Sequence, residues 1–303
     1  MSKYDTSRFH GIFVALNTPY DKNGNVSPER IRNIARKYAA LGVTGMYACG
    51  STGEGVLLDV AERKLVTETL VDEIGDQMTV IVHVGAPATK HSAELAEHAW
   101  RCGAHAVSAV PCIYYRPSED TIEAHWKSIM DAADIPFIIY NIPQLTGYDL
   151  SMKLFRKMLT YDRVSGIKNT SMNAYQTEQL KTIGGKDFIV FNGPDEQYLA
   201  GRIMGADAGI GGTYGTMPEI FLKIEDCIVK KQFDAAQLWQ IRANELITEL
   251  LSYPSLYGAC KTIIRERFTD IGEPRAPFFS VPMDYPGLRD TYEKMEHYIS
   301  MID

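Results

Sequence analysis

A lysine interrupts an apolar run that predicts a buried strand. Residues 163–171 read RVSGIKNTS, and with a period of two Val164, Gly166 and Lys168 share one face of that strand. Burying an ammonium is costly unless it is paired or its pKa falls well below about 10.4. A neutral buried amine is a nucleophile for carbonyl carbons, through a Schiff base. The alternative is a strand-end lysine that extends its charge into solvent.

A tyrosine ends the strand predicted before the lysine strand. Tyr140 closes the apolar run at residues 137–140. An amine that attacks a carbonyl needs a partner that moves protons, and a tyrosine hydroxyl on a neighbouring strand is suited to this task. The alternative is an aromatic ring that fills the fold and leaves its hydroxyl in water. Beside Lys168 the catalytic interpretation is favoured.

Two glycine-rich segments follow other predicted strands. Residues 50–55 read GSTGEG, and glycines there let the backbone approach a ligand while Ser51 and Thr52 offer hydroxyls to a carboxylate or phosphate. The segment lacks the lysine of a P-loop and the downstream acid of a dinucleotide site. Residues 209–215 read GIGGTYG, which is typical either of a phosphate site or of close strand packing.

A pair of carboxylates follows the seventh predicted strand. Asp195 and Glu196 come directly after Gly193 and Pro194. They either place favourable charge near a helix N-terminus or accept hydrogen bonds from substrate hydroxyls. Charge alone does not separate these two interpretations.

The elements that must position these residues alternate regularly. Eight short apolar strands alternate with amphipathic helices, which predicts an α/β protein with a closed (β/α)8 barrel at residues 1–231 and a C-terminal helical appendage at residues 232–303. Active sites of such barrels lie at the C-terminal ends of the strands, where Lys168 falls. The predicted strands are 11–16, 45–49, 79–84, 106–110, 137–140, 164–168, 188–191 and 208–214.

Composition narrows the class of partner. The 303 residues carry 31 basic and 38 acidic side chains, a net charge of -7, and no basic run, which argues against nucleic acid. The chain starts without an apolar signal region and has no bilayer-spanning run, so we expect no membrane contact and a cytoplasmic location. The five cysteines lack a C-x-x-C spacing and the seven histidines an H-E-x-x-H pattern, so no metal is expected.

Three segments together resemble one family. The sequences GSTGE at 50–54, YNIP at 140–143 with Thr146 and Gly147, and GIKNT at 166–170 are similar to those of the N-acetylneuraminate lyase and dihydrodipicolinate synthase family. These proteins are class I pyruvate aldolases on a (β/α)8 barrel, and the likeness covers essentially the whole chain.

The resemblance implies a role for each motif. Lys168 would form a Schiff base with pyruvate or another 2-oxo acid, and no metal or dissociable cofactor is needed. Ser51 and Thr52, with the backbone near Gly53, would hold the pyruvyl carboxylate. Tyr140 would move the proton at the substrate oxygen.

The resemblance also implies an oligomer. Tyr140 would be linked through Ser51 to Tyr114, a tyrosine that reaches the site of a neighbouring subunit in this family. A homotetramer built as a pair of dimers follows from this implication.

Substrate choice within the family rests on other positions. Dihydrodipicolinate synthases usually carry an arginine where Leu145 stands, which favours cleavage of N-acetylneuraminate to N-acetylmannosamine and pyruvate. The residues implied to hold the sugar acid are Thr170, Gly193, Asp195, Glu196, Gly211 and Gly212.

Two departures leave alternatives open. Gly212 stands where lyases commonly have a serine, and Tyr257 where phenylalanine is often found. The alternatives are an aldolase or dehydratase of another 2-oxo-3-deoxy sugar acid, a dihydrodipicolinate synthase, and a non-catalytic barrel that binds a sugar acid.

Overall fold

The computed structural model describes residues 3–302 and contains a closed parallel barrel. Each strand is hydrogen-bonded to the next, and the eighth pairs with the first, so the (β/α)8 prediction is confirmed. The strands are β1 Gly11–Ala15, β2 Gly45–Ala48, β3 Thr79–His83, β4 Ala106–Ala109, β5 Phe137–Asn141, β6 Val164–Asn169, β7 Ile189–Asn192 and β8 Ala208–Gly211.

The helices surround the barrel and continue beyond it. The predicted eighth strand is shorter than expected, because residues 213–215 form a 3-10 turn, and the short helix at 143–146 was not predicted. The helices are α1 Pro28–Ala40, α2 Val60–Ile74, α3 Thr89–Cys102, α4 Glu119–Asp131, α5 Pro143–Thr146, α6 Met152–Met158, α7 Ala174–Gly184, α8 Tyr198–Ile203, α9 Pro218–Val229, α10 Phe233–Ser252, α11 Leu256–Arg267 and α12 Leu288–Ile299.

The strands are apolar on both faces because both faces are covered. Outward residues such as Val82 and Ile139 pack under the helices, whereas inward residues fill the barrel itself. Inside the barrel, the ring of Phe191 meets those of Phe13 and Phe9 edge-on, with centroids 5.3 and 6.4 Å apart. The barrel is therefore a packed core with space only at its rims.

A bulge in β6 changes which residues share the face of Lys168. Strand β5 pairs Phe137 with Val164 but Ile138 with Gly166, so Ser165 is the extra residue. Val164 consequently packs with Phe137 in the outer layer, and the prediction that it shares the face of Lys168 is wrong. Beyond the bulge the alternation is regular.

The C-terminal helices contact the barrel through charged side chains. Arg267 of α11 forms an ion pair with Glu219 of α9 at 2.9 Å and donates to the carbonyl of Thr216. Lys261, also on α11, pairs at 3.0 Å with Glu54, and both side chains are fully buried. The division between residues 231 and 232 stays a prediction.

No helix within residues 3–302 combines the length and the apolar character of a membrane span.

Barrel packing leads to a stability prediction. Phe191→Ala removes a fully buried ring from the barrel interior and should lower the free energy of unfolding by about 3–5 kcal/mol, since the cavity cannot collapse. Chemical denaturation followed by circular dichroism measures the change. Phe279→Ala is the matched control, because that ring is 68% exposed and its loss should cost less than about 0.5 kcal/mol. Equal losses in the two variants would contradict the assignment.

Candidate active site

Lys168 lies inside the mouth of the barrel among aromatic rings. Its Cα is the register partner of Tyr140 on β5 and of Phe191 on β7, and the residue is 5% exposed. The amine lies 4.3 Å from the ring centroid of Tyr140 and 4.4 Å from that of Tyr47. No carboxylate of residues 3–302 forms an ion pair with it. The structure thus brings together the two residues that the sequence singled out for chemistry.

Tyr47 on β2 completes this aromatic enclosure, although no functional role was predicted for it. Its hydroxyl donates to the Ser108 hydroxyl at 3.0 Å. Burial, with the nearby Tyr140, raises the pKa of Tyr47 well above its ordinary value, so the hydroxyl stays neutral. The sequence shows its inward parity on the strand that precedes the GSTGEG segment, but ordinary core residues share that parity.

His83 at the end of β3 is held as a neutral ring. Its Nδ1 donates to the carbonyl of Cys49 at 3.1 Å, while Nε2 accepts from the backbone N–H of Val110 at 3.3 Å. Burial, with the charge of Arg63 adding to it, holds the pKa of His83 well below its ordinary range. The ring meets Tyr140 edge-on at 5.7 Å. It therefore positions Tyr140 without adding positive charge near Lys168.

Residues 50–55, the cradle loop, lie directly against Tyr47. A Cβ on Gly50 would come within 2.6 Å of the Tyr47 ring, and one on Gly55 within 1.9 Å of the carbonyl of Cys49. Glu54 adopts φ 55°, a conformation that non-glycine residues seldom take. The tight turn leaves Ser51 and Thr52 partly exposed at the mouth, next to the ring that faces Lys168.

Asp195 lies on the side of the mouth formed by β7 and β8. Its Oδ2 accepts hydrogen bonds from the backbone N–H and the hydroxyl of Thr213, at 2.7 and 2.6 Å. Burial raises the pKa of Asp195 to about 6, although the two bonds from Thr213 oppose that shift. A Cβ on Gly211 would come within 2.6 Å of Asp195 Oδ1, so this glycine makes room for the carboxylate.

A cavity of about 210 Å³ opens beside Asp195, and four other predicted sugar-acid residues line it: Thr170, Gly193, Glu196 and Gly212. A Cβ on Gly212 would come within 2.8 Å of the Thr52 hydroxyl, so the cavity adjoins the cradle loop. Similarly, Gly193 lies against the hydroxyl of Thr170. Its lining includes both polar and apolar residues: the polar ones are Thr170, Asp195, Glu196 and Thr213, and the apolar ones are Met172, Ile247, Leu251 and Leu256.

Tyr114 is the predicted site residue that does not join the others in this chain. Its ring is 92% exposed, its φ is 73°, and it packs against Tyr115 at 5.2 Å. Within residues 3–302 the hydroxyl of Ser51 makes no hydrogen bond, so a relay from Tyr140 through Ser51 to Tyr114 is not formed inside one subunit. The relay stays a prediction.

Tyr257 of α11 comes close to the site from the C-terminal helices. Burial, followed by the nearby Tyr140, raises the pKa of Tyr257 to about 12, and its ring meets Phe278 edge-on at 4.6 Å. The sequence analysis identified Tyr257 as a departure from the lyase pattern, and the structure places it within electrostatic reach of Tyr140.

A group of metal-type ligands lies elsewhere, on the helices around the barrel. In the part of the chain that the structure describes, Glu68 on α2 lies near His98 and Cys102 on α3, with ligand atoms within 4.8 Å of one another. Glu68 is exposed, whereas His98 and Cys102 are partly buried. The expectation that no metal is bound stays a prediction.

The sequence matches one family profile and is similar to individual proteins that are named lyases. Residues 8–292 match the sequence profile of the "Dihydrodipicolinate synthetase family". The chain is 39% identical over 273 residues to N-acetylneuraminate lyase of Mediterraneibacter gnavus, covering 89% of this chain and 87% of that protein. It is 37% identical over 257 residues to N-acetylneuraminate lyase 2 of Escherichia coli, covering 84% of each.

Two solved structures of a sialic acid aldolase superpose on nearly the whole chain. The wild-type sialic acid aldolase of Ruminococcus gnavus superposes with a TM-score of 0.96 at 36% identity, covering 98% of this chain and all of that one. Its catalytic lysine mutant superposes with the same TM-score at 35% identity, covering all of both chains.

The raised pKa of Asp195 predicts a pH-dependent stability. A carboxyl that titrates at about 6 when folded, against 3.8 ordinarily, binds its proton more tightly in the native state. Its contribution to stability is therefore complete below about pH 4 and is lost as the pH rises through about 6, a loss on the order of 2–3 kcal/mol.

The Asp195→Asn variant isolates this effect, since its amide does not titrate. The unfolding free energy of the wild type minus that of Asp195→Asn should fall between pH 4 and pH 7. Urea denaturation at several pH values measures it. A difference that stays flat or rises with pH would show that the carboxylate is stabilised, rather than strained, by its site.

Proposed function

Because the chain belongs to the Dihydrodipicolinate synthetase family, we propose that it is a Schiff-base aldolase that cleaves N-acetylneuraminate reversibly to N-acetylmannosamine and pyruvate. The observation that carries the proposal is the buried amine of Lys168 beside Tyr140, at the mouth of a barrel whose relatives are described as lyases of this sugar acid.

The reaction begins at the keto carbon of the open-chain sugar acid. The lone pair of the Lys168 amine forms a bond to C2, and the carbonyl oxygen leaves as water after it takes up two protons. The product is an iminium ion, which withdraws electrons from the C3–C4 bond. The lysine itself serves as the electron sink, so the step needs no dissociable cofactor.

Cleavage then requires removal of a proton from the C4 hydroxyl. Tyr140 is the proposed acceptor: its hydroxyl gives the departing carbonyl oxygen one of its two protons, the amine gives the other, and the resulting phenolate lies on the strand next to Lys168 as its register partner. The C3–C4 electron pair moves into a C2–C3 double bond and neutralises the iminium nitrogen, while C4 leaves as the aldehyde of N-acetylmannosamine. Protonation at C3 and hydrolysis by water release pyruvate and restore the amine.

The two sides of the mouth hold the two ends of the substrate. We assign the substrate carboxylate to the cradle loop, through Ser51, Thr52 and the backbone near Gly53, because this loop adjoins the aromatic enclosure of Lys168. The hydroxyl-bearing tail goes to the cavity beside Asp195 and Glu196, whose carboxylate oxygens accept hydrogen bonds.

The Schiff base is tested by reduction. Borohydride added with pyruvate should leave a reduced pyruvyl adduct on Lys168, identified by peptide mass spectrometry. Lys168→Met should abolish the adduct and the cleavage of N-acetylneuraminate. Lys153→Met, at an exposed position on α6, is the matched control and should behave as the wild type. A wild-type protein without an adduct would exclude this mechanism.

The trapping assay also distinguishes Schiff-base formation from recognition of the hydroxyl-bearing tail of the substrate. Asp195→Ala should lower kcat/KM for N-acetylneuraminate by about 10- to 100-fold, since it removes a charged acceptor, but pyruvate should still be trapped. Loss of trapping in Asp195→Ala would mean that the tail cavity had been assigned to the wrong place.

We also propose that the protein is a homotetramer built as a pair of dimers. Tyr114 supports this arrangement, because a large ring held 92% exposed in an unusual backbone conformation beside the exposed Tyr115 is suited to a partner's surface. In the dimer each Tyr114 would reach the site of the other subunit and extend the hydroxyl relay there.

Mixed oligomers test whether Tyr114 acts across the interface. Tyr114→Phe alone should lower kcat about 100-fold, because it removes one proton-transfer group. Co-expression of Tyr114→Phe with the inactive Lys168→Met should restore activity, since some sites then combine Lys168 of one subunit with Tyr114 of the other. Activity no higher than the sum of the separate variants would place Tyr114 in its own subunit's site or outside the mechanism.

A cytoplasmic location is part of the proposal. All five cysteines are free thiols, which fits a reducing compartment. The substrates proposed here are small sugar acids and pyruvate.

A further inference from the structure

We propose that Lys261 and Glu54 form a positioning pair that fixes the cradle loop in the geometry that receives the substrate's carboxylate. The inference rests on the proposed function, which assigns that carboxylate to the loop. Neither side chain reaches the reacting atoms, so their effect on the reaction would pass through Ser51 and Thr52.

The pair is a fully buried charge contact between distant parts of the chain. Lys261 Nζ lies 3.0 Å from Glu54 Oε1, and neither side chain has any exposed area. The same amine donates to the carbonyls of Thr18 at 2.8 Å and Glu273 at 3.1 Å. A buried pair of this kind is retained only where its geometry and hydrogen bonds offset the cost of desolvation.

Glu54 lies in the cradle loop, and Lys261 binds a segment that packs against this loop. Glu54 belongs to the loop, and its Oε2 accepts from the backbone N–H of Arg275 at 2.7 Å. Thr18, which binds the lysine through its carbonyl, donates its hydroxyl to the carbonyl of Gly53 at 2.6 Å. A closed set of contacts therefore holds residues 53 and 54 between α11, the segment after β1 and the segment at Arg275.

The backbone conformation of Glu54 explains why these contacts are needed. A φ of 55° is unfavourable for a glutamate and persists only where surrounding contacts impose it. Ser51 is linked to this residue directly, because its carbonyl accepts from the backbone N–H of Glu54 at 3.0 Å. Release of Glu54 would consequently move the two hydroxyls that face the mouth.

The electrostatic surroundings make the pair sensitive to loss of either member. Burial lowers the pKa of Lys261 to about 8, while the charge of Glu54 opposes that shift. The other groups that face the amine are the ring of Tyr20 at 4.1 Å, the nearby Glu273 and the guanidinium of Arg275. Without Lys261, the Glu54 carboxylate would be left buried and would draw the loop toward water.

The test compares a charged and an uncharged carbonyl compound in the borohydride trapping assay. Pyruvate carries the carboxylate that the cradle loop is proposed to hold, whereas pyruvamide has the same keto group without the charge. Lys261→Met and Glu54→Gln are measured singly and together. Lys230→Met and Asp226→Asn are the matched control, because that ion pair lies exposed at the C-terminal end of α9.

We expect a selective loss of pyruvate binding. Each single change should raise the half-saturating concentration of pyruvate about tenfold, with pyruvamide altered less than about twofold and the maximal trapping rate retained. The double variant, which leaves no unpaired charge, should lie closer to the wild type than the worse single variant does. The exposed control pair should change neither compound.

Three outcomes would overturn the pair's role. Unchanged half-saturation for pyruvate in both single variants, equal shifts for pyruvate and pyruvamide, or single effects that multiply in the double variant would each exclude it. If Lys261→Met does not fold, Glu54→Gln and the double variant carry the same comparison. A wild-type protein that traps no pyruvate would instead exclude the proposed function, and with it the assignment of the carboxylate.

Discussion

The lateral register between β5 and β6 is the constraint on which the site depends. It sets Tyr140 and Lys168 side by side on the inner face of the barrel. One bulge at Ser165 adjusts this register, and without it Lys168 would pair one position out of step. Because side chains alternate between faces, a shift of one residue would turn the lysine toward the helices. The placement of both groups that are proposed to do the chemistry thus follows from hydrogen bonding of the backbone.

Because the barrel is closed, residues of other strands also surround the amine of Lys168. The strand ends meet in a ring, so Tyr47 on β2 faces the same amine as Tyr140 on β5. His83 occupies the mouth between them as a neutral ring. The enclosure near the amine is built from aromatic and neutral polar groups. The acidic residues of the mouth, Asp195 and Glu196, lie instead at the cavity on the β7 and β8 side.

Local sequence patterns predicted a large part of this arrangement. The barrel follows from the alternation of strands and helices. Lys168, Tyr140, the cradle loop and the carboxylates at 195 and 196 each lie at or just after the end of a strand, and the rule that strand ends share one rim of a barrel was enough to group them. Tyr47 received no role because an inward tyrosine cannot be told from ordinary core by its pattern. Val164 was assigned to the wrong face because a bulge changes the alternation and leaves no mark in composition. Lys261 and Glu54 lie far apart in the chain, and their pairing emerges only from tertiary packing.

Acidic side chains are distributed unevenly around the barrel mouth, and the two sides of the mouth have different proposed roles. No carboxylate of residues 3–302 forms an ion pair with Lys168, whose amine instead faces the rings of Tyr47 and Tyr140. On the other side Asp195 is buried and already accepts two hydrogen bonds from Thr213, which fixes its carboxylate before a ligand arrives. An acid beside the amine would compete with the substrate for the lysine. The nucleophile and the carboxylates proposed to bind the substrate's tail lie on different sides of the barrel mouth, and this separation keeps the amine available for the carbonyl.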